Sequence, residues 1–96
     1  MSLYPNAPGH RNVETSMDAA DTLVAKLGRL QQRVRTAIRN AGRSGLTAEE
    51  LAAALQESIR AVQPRTSELR RLGLIRDSGD RRLNSTRRRA IVWVTT

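Results

Sequence analysis

The stretch from Gly45 to Ile75, GLTAEELAAALQESIRAVQPRTSELRRLGLI, decides the fold. Gly45-Leu46-Thr47 offers a very short extended segment, and Thr47 then opens a helix. Its hydroxyl and the Glu50 carboxylate have the spacing of a reciprocal capping box, each satisfying an amide that a helix start leaves unpaired. Leu51, Ala54 and Leu55 are expected to form the inner face of that helix. Gln56-Glu57 interrupts it, and Ser58 is the next residue able to cap. Beyond it Ile59, Val62, Leu69 and Leu72, with Thr66 on the same side, recur at helical spacing. At about 100° per residue, Arg60, Gln63, Pro64, Ser67 and Arg71 then fall on the opposite, solvent-facing side. Pro64 lacks an amide hydrogen and predicts a kink or a shortened first turn, and Gly73 closes the helix.

Outward from this stretch, Leu74-Ile75-Arg76-Asp77 and Ala90-Ile91-Val92-Trp93-Val94 read as two β-strands. Ser78 to Arg89 joins them, too long for a tight turn and holding five arginines. Alternation puts Trp93 on the side of Ile91, opposite Val92 and Val94, as a residue of the core or its edge. Upstream, Leu23, Leu27, Leu30, Val34, Ala37 and Ala41 alternate steps of four and three, with Val24 and Ile38 widening the stripe. This is an amphipathic helix, or two helices broken near Gly28, ended by the glycines of Asn40 to Gly45. Thr15 or Ser16 can cap its start, with Asp18 and Asp21 near the positive end. The stripe has two readings. It pairs with a second copy through Leu23, Leu27, Leu30 and Val34, or it packs on its own domain; Gly28 and the small residues at 37 and 41 weaken the first. Residues 1–14, with Pro5, Pro8 and Gly9, carry no pattern and are expected to form a flexible arm.

Helix, short strand, capped helix, turn, second helix ending in Leu-Gly-Leu-Ile, strand, basic loop and strand is an ordered set. It resembles the winged helix-turn-helix domains of prokaryotes, and is most similar to short stand-alone ones encoded by phages and prophages. The residues that carry the resemblance are Gly45 to Leu51, Val62 to Ile75, Asp77-Ser78-Gly79 and Ala90 to Trp93. The resemblance implies a mainly α fold with a small antiparallel β-wing (α+β). Three core helices and the wing would occupy 30–96, and 15–29 would form an additional N-terminal helical segment. It also implies sequence-specific duplex DNA binding, by a recognition helix at about 59–72 in the major groove and a wing at 78–89 on backbone or minor groove. Such a protein would be a small cytoplasmic transcriptional regulator or a phage DNA-transaction accessory, dimeric if its site is two-fold. Arg87 stands where these proteins usually place a wing-tip glycine, and Leu83 where a proline is usual.

Charge agrees with a phosphate-bearing partner. From Arg60 to Thr96 ten arginines face Glu68, Asp77 and Asp80, whereas the first 59 residues hold seven basic and six acidic side chains. Arginine use driven by genome composition would not concentrate the excess at one end. Arg60 suits guanine O6 and N7, Gln63 suits adenine N6 and N7, and Ser67 reaches a base or a phosphate. Arg65, Arg71, Arg81, Arg82, Arg87, Arg88 and Arg89 are the phosphate and wing candidates, since arginines crowded into one loop repel unless a polyanion neutralises them. Arg65 and Arg70 flank the buried side of the helix, where either can pair with Glu68 or bridge to phosphate, and surface pairs of that kind stabilise little.

Other classes fit poorly. With 96 residues and no Cys, the chain has room for one small domain without disulfides or thiolate metal sites. No unbroken apolar run exceeds five residues, as in Leu51 to Leu55, too short for a membrane span. His10 is alone in the arm, the carboxylates are scattered, and no glycine-rich phosphate loop occurs, so no catalytic, cofactor or metal site is expected. Tyr4 and Trp93 are the only aromatics, which disfavours the stacking platforms of single-strand and RNA binders. The competing reading is a protein-interaction module whose basic wing docks on an acidic partner.

Overall fold

The computed structural model describes residues 22–96, so the arm at 1–14 and the caps expected at Thr15 or Ser16 lie outside the described residues. Residues 22–25 are helical, and the chain then turns at Lys26 and Leu27. Gly28 is the N-cap of α1 (Arg29–Ala41), and its amide donates to Gln31 Oε1 at 2.8 Å. The amphipathic stripe is thus two helical pieces. Leu27 and Val34 are buried in the chain's own core, and Leu23 and Leu30 are half-buried against it.

A 3₁₀ turn, Gly42–Ser44, leads to Leu46, which exchanges both backbone hydrogen bonds with Trp93 at 3.0 and 2.8 Å. Gly45 permits this close approach. Its φ is +62°, and a Cβ there would fall against Trp93 O and 2.7 Å from Val92 Cγ1. Next comes α2 (Ala48–Leu55), opened by the full capping box: Glu50 N–H to Thr47 Oγ1 at 3.2 Å and Thr47 N–H to Glu50 Oε1 at 2.9 Å. Its inner face differs from the expected one. Leu51 and Ala52 are buried and Ala48 and Leu55 half-buried, whereas Ala54 is exposed. At helical spacing 48, 51, 52 and 55 make one stripe, and 54 falls well off its centre.

Gln56 takes a left-handed conformation, φ 56° and ψ 45°, which turns the chain within three residues into α3 (Ile59–Arg71). Ser58 Oγ accepts the Ala61 amide at 3.1 Å. Pro64 does not interrupt α3, because it sits on the exposed side, where solvent can serve the Arg60 carbonyl that loses its donor. The helix closes in a Schellman motif around Gly73: Leu74 N–H reaches Leu69 O and Gly73 N–H reaches Arg70 O, each at 3.0 Å. Val62, Thr66 and Leu69 are buried, while Ile59 and Leu72, at the two ends of the inner stripe, are exposed.

β1 (Ile75–Leu83) and β2 (Arg89–Thr95) form a two-stranded antiparallel sheet. The strands are longer than the sequence suggests, so Arg81, Arg82 and Arg89 lie in the sheet and not in a connecting loop. Asp77 pairs with Trp93 and Arg81 with Ile91, so Ser78-Gly79-Asp80 bulges out of register. The bulge is held by Asp77 Oδ1, which accepts the Gly79 amide at 2.8 Å. That acidic, glycine-containing tract masks the strand in the sequence.

Val34, Ile38, Leu51, Val62, Leu69 and Ile75 are fully enclosed, and Trp93 seals the sheet side of this core. Each such side chain contributes about 1.5–3 kcal/mol relative to exposure. The architecture is α+β, helices followed by an antiparallel hairpin, and it is compatible with a winged-helix-like layout. Among the described residues, no helix is long and apolar enough to cross a membrane.

Candidate nucleic-acid interface

The solvent face of α3 and the hairpin enclose a groove of about 720 Å³. Arg60, Gln63 and Ser67 line its helical wall, and Arg88, Arg89 and Ile91 its sheet wall. A second hollow of about 460 Å³ continues along the helix, bounded by Ser67, Arg70, Arg71, Ile91 and Trp93. Burying Val62, Thr66 and Leu69 turns the opposite side of α3 outward, which is why the polar residues line this groove. The Arg70 guanidinium sits 5.8 Å from the Trp93 ring centroid, a cation–π contact that holds it at the groove's edge.

The hairpin is fixed to the start of α2 by two neighbouring carboxylates. Glu49 accepts the Ser85 amide at 2.9 Å and the Ser85 hydroxyl at 2.7 Å. Glu50, already engaged in the capping box, accepts Arg82 Nη2 at 2.6 Å and Nε at 3.1 Å. Arg82 also donates to the Ser44 and Gly45 carbonyls at 2.8 and 2.9 Å, tying β1 across the 3₁₀ turn. The tip is a three-residue loop. Asn84 and Arg88 bracket it, Arg87 N–H donates to Asn84 O at 2.9 Å, and Arg87 has φ 64°.

The candidates from the sequence therefore separate by environment. Arg60, Gln63, Ser67, Arg71, Arg88 and Arg89 come together along the two hollows. Arg87 stands at the hairpin tip, exposed. Arg65, Arg81 and Arg82 are engaged elsewhere: Arg65 with Glu68 at 2.6 Å, Arg81 with Asp77 at 2.9 Å, Arg82 with Glu50. Five unopposed arginines in one loop are not observed, because two have carboxylate partners on β1 and α2. Arg70, a residue expected to pair with Glu68 or bridge to phosphate, borders the second hollow, and Glu49 and Asn84, which had no site role in the sequence reading, border the first. Glu49 follows directly on the first residue of α2, and its partner Ser85 lies 36 residues away. No local spacing signals such a contact.

These partners set the electrostatics. Hydrogen bonds from Ser85 hold the Glu49 carboxyl below its usual range, and Arg82 does the same for Glu50. Arg65, then Gln31, lowers Glu68, and Arg81, then the Gly79 amide, lowers Asp77. Arg65 is correspondingly raised by Glu68. All four carboxylates are thus ionised at neutral pH and committed to holding the scaffold. Arg60, Arg71, Arg87, Arg88 and Arg89 have no ion-pair partner among the described residues, so the groove keeps a concentrated positive field. Also among the described residues, no cluster of His, Cys, Asp and Glu could hold a metal ion.

No protein-family model matches the chain, and no curated protein is significantly similar to it.

Proposed function

We propose that the chain is a winged helix-turn-helix protein that binds duplex DNA with sequence preference, α3 entering the major groove and the hairpin acting as the wing. The observation that carries this reading is the convergence of Arg60, Gln63 and Ser67 with Arg88 and Arg89 on one groove. Residues 60, 63 and 67 succeed one another up the exposed face of α3. At about 1.5 Å rise per residue they span roughly 10 Å. That is about three base-pair steps, the reach of one recognition helix. Bidentate pairing of Arg60 with guanine and of Gln63 with adenine would each discriminate by about 1–3 kcal/mol. Arg87, Arg88 and Arg89 supply phosphate contacts that fix the register, and Arg71 does so farther along the helix. The burial of Trp93 supports a duplex over a single strand, since it leaves no stacking platform on this face. On this reading the protein acts in the cytoplasm as a small regulator or a phage DNA-transaction accessory.

Selection of bound sequences from a random duplex pool at near-physiological salt tests the proposal. An enriched motif that R60A and Q63A erase, while R88A and R89A weaken binding to every sequence, is the expected result. A pool that stays random, with attraction that vanishes as salt rises, would refute it and favour docking of an acidic protein partner.

A further inference from the structure

A second basic surface lies away from the groove. From Arg29 to Arg43 the chain holds five arginines and no Asp or Glu. Only Arg33 of these has a carboxylate partner among the described residues, Glu57 at 3.0 Å. Arg39 and Arg43 are four residues apart at the end of α1 and its 3₁₀ turn, both exposed. Arg43 meets Arg76 of β1 at a hollow of about 460 Å³, completed by Gly42, Ser78, Asp80 and Val94.

This hollow is on the back of the sheet. Successive strand residues face opposite sides, so Ile91 and Trp93, which line the α3 groove, share one face of β2, and Val94 belongs to the other. Arg76 pairs directly with Val94 and so shares its face. The two arginines come from different elements, and neither has an ion-pair partner among the described residues. Asp80 is the one acid lining the hollow. Ser78 Oγ accepts the Asp80 amide at 3.1 Å, which leaves its own proton free to donate. Two guanidiniums and a hydroxyl over a concave surface suit the oxygens of a phosphodiester backbone.

Building on the duplex-binding reading of the α3 groove, we propose that this back face holds the sugar–phosphate backbone of a second DNA duplex, so that one chain bridges two DNA segments. The front reads sequence; the back contributes phosphate contacts with little preference. A small regulator built this way would join its specific site to any neighbouring DNA.

The test is capture of a fluorescent duplex by an immobilised duplex in the presence of the full-length chain, beside single-duplex affinity measured by anisotropy. R43E/R76E should reduce capture at least about tenfold, because two phosphate contacts are lost and two anions introduced, with single-duplex affinity nearly unchanged. R43Q/R76Q should reduce capture less, and circular dichroism of both variants checks the fold. Capture undiminished in R43E/R76E would overturn the inference, since a second copy of the chain would then supply the second duplex. Wild-type protein that binds one duplex but captures no second would overturn it too. Failure to bind any duplex would instead remove the duplex-binding reading on which it rests.

Discussion

Replacing Arg87 with Gly should strengthen the fold and weaken DNA binding in the same molecule. Arg87 is held at φ 64° by the tip turn, with its amide on Asn84 O and the Asn84 amide on Arg88 O at 2.8 Å. An L-residue in that left-handed region costs roughly 1–2 kcal/mol, because Cβ crowds the following carbonyl. Glycine removes that cost but gives the unfolded chain more freedom, offsetting roughly 0.5–1 kcal/mol. Taking the middle of each range, the net is a stabilisation of about 0.75 kcal/mol, which in a domain of this size raises Tm by roughly 3–6 °C. If the tip touches a phosphate, losing its cation also lowers the slope of log affinity against log salt by about 0.9. Thermal melts followed by circular dichroism and anisotropy titrations at several salt concentrations read both quantities. R87A separates them, since it removes the charge but keeps the strain: its Tm should stay near the wild type while its salt slope falls like that of R87G. A Tm for R87G at or below the wild type would refute the strained tip, and an unchanged salt slope would refute its contact with phosphate.

Gly45→Ala should cost about 3–5 kcal/mol, combining left-handed strain with a methyl forced into Val92 Cγ1 at 2.7 Å, and leave most of the chain unfolded at 37 °C in a thermal melt. Leu51→Ala, at a fully enclosed site, should cost about 2–5 kcal/mol in urea denaturation; a loss under about 1 kcal/mol would mean that the core is not packed as described. Glu49→Ala removes both acceptors of Ser85 and should speed hydrogen exchange at the hairpin tip while protection in α1 and α3 persists; equal exchange would show that the tip is held by other contacts. Acid stability has a defined sign. Glu49, Glu50, Glu68 and Asp77 all titrate lower in the folded chain, so their contribution is complete above the unfolded values of about 4 and is lost as pH falls through the lowered ones. The urea midpoint should therefore be insensitive to these groups between about pH 6 and 8 and fall below about pH 4, and a rise on acidification would contradict the carboxylate contacts.

What the sequence made legible was local. The capping box of Thr47 and Glu50, the break at Gln56-Glu57, the Ser58 cap and the stop at Gly73 all follow from chemistry within a few residues, and each occurs in the structure. Ala54 was misread and Ala52 missed because a short alanine-rich helix carries little hydrophobic contrast. The extent of β1 was hidden for a different reason: Asp77-Ser78-Gly79-Asp80 has turn chemistry and does form a turn-like bulge, yet pairing resumes beyond it at Arg81. Contacts between distant segments were not legible at all. Nothing near Arg82 indicates that its partners are Glu50 and the carbonyls of Ser44 and Gly45, and nothing near Glu49 points to Ser85.

Those distant contacts determine what the charge excess can do. Between residues 22 and 96 the chain has six acidic side chains, and five are committed: four to ion pairs with Arg33, Arg65, Arg81 and Arg82, and Glu49 to Ser85. Exposed pairs of this kind contribute little stability singly. Their effect here is positional. Glu49 and Glu50 use adjacent places at the start of α2 to fix the hairpin tip and its first strand, and so set the distance between α3 and Arg88 and Arg89. The acids are thereby held on the supports, and Glu49, bonded to Ser85, is the one carboxylate bordering the groove, where Arg60, Arg71, Arg88 and Arg89 form no ion pair among the described residues. A uniform scattering of the same residues would give the same net charge and no site. Pairing the frame arginines with carboxylates while Arg60, Arg71, Arg88 and Arg89 stay unpaired along the groove gives this face a directed positive field, which supports a phosphate-bearing ligand on it.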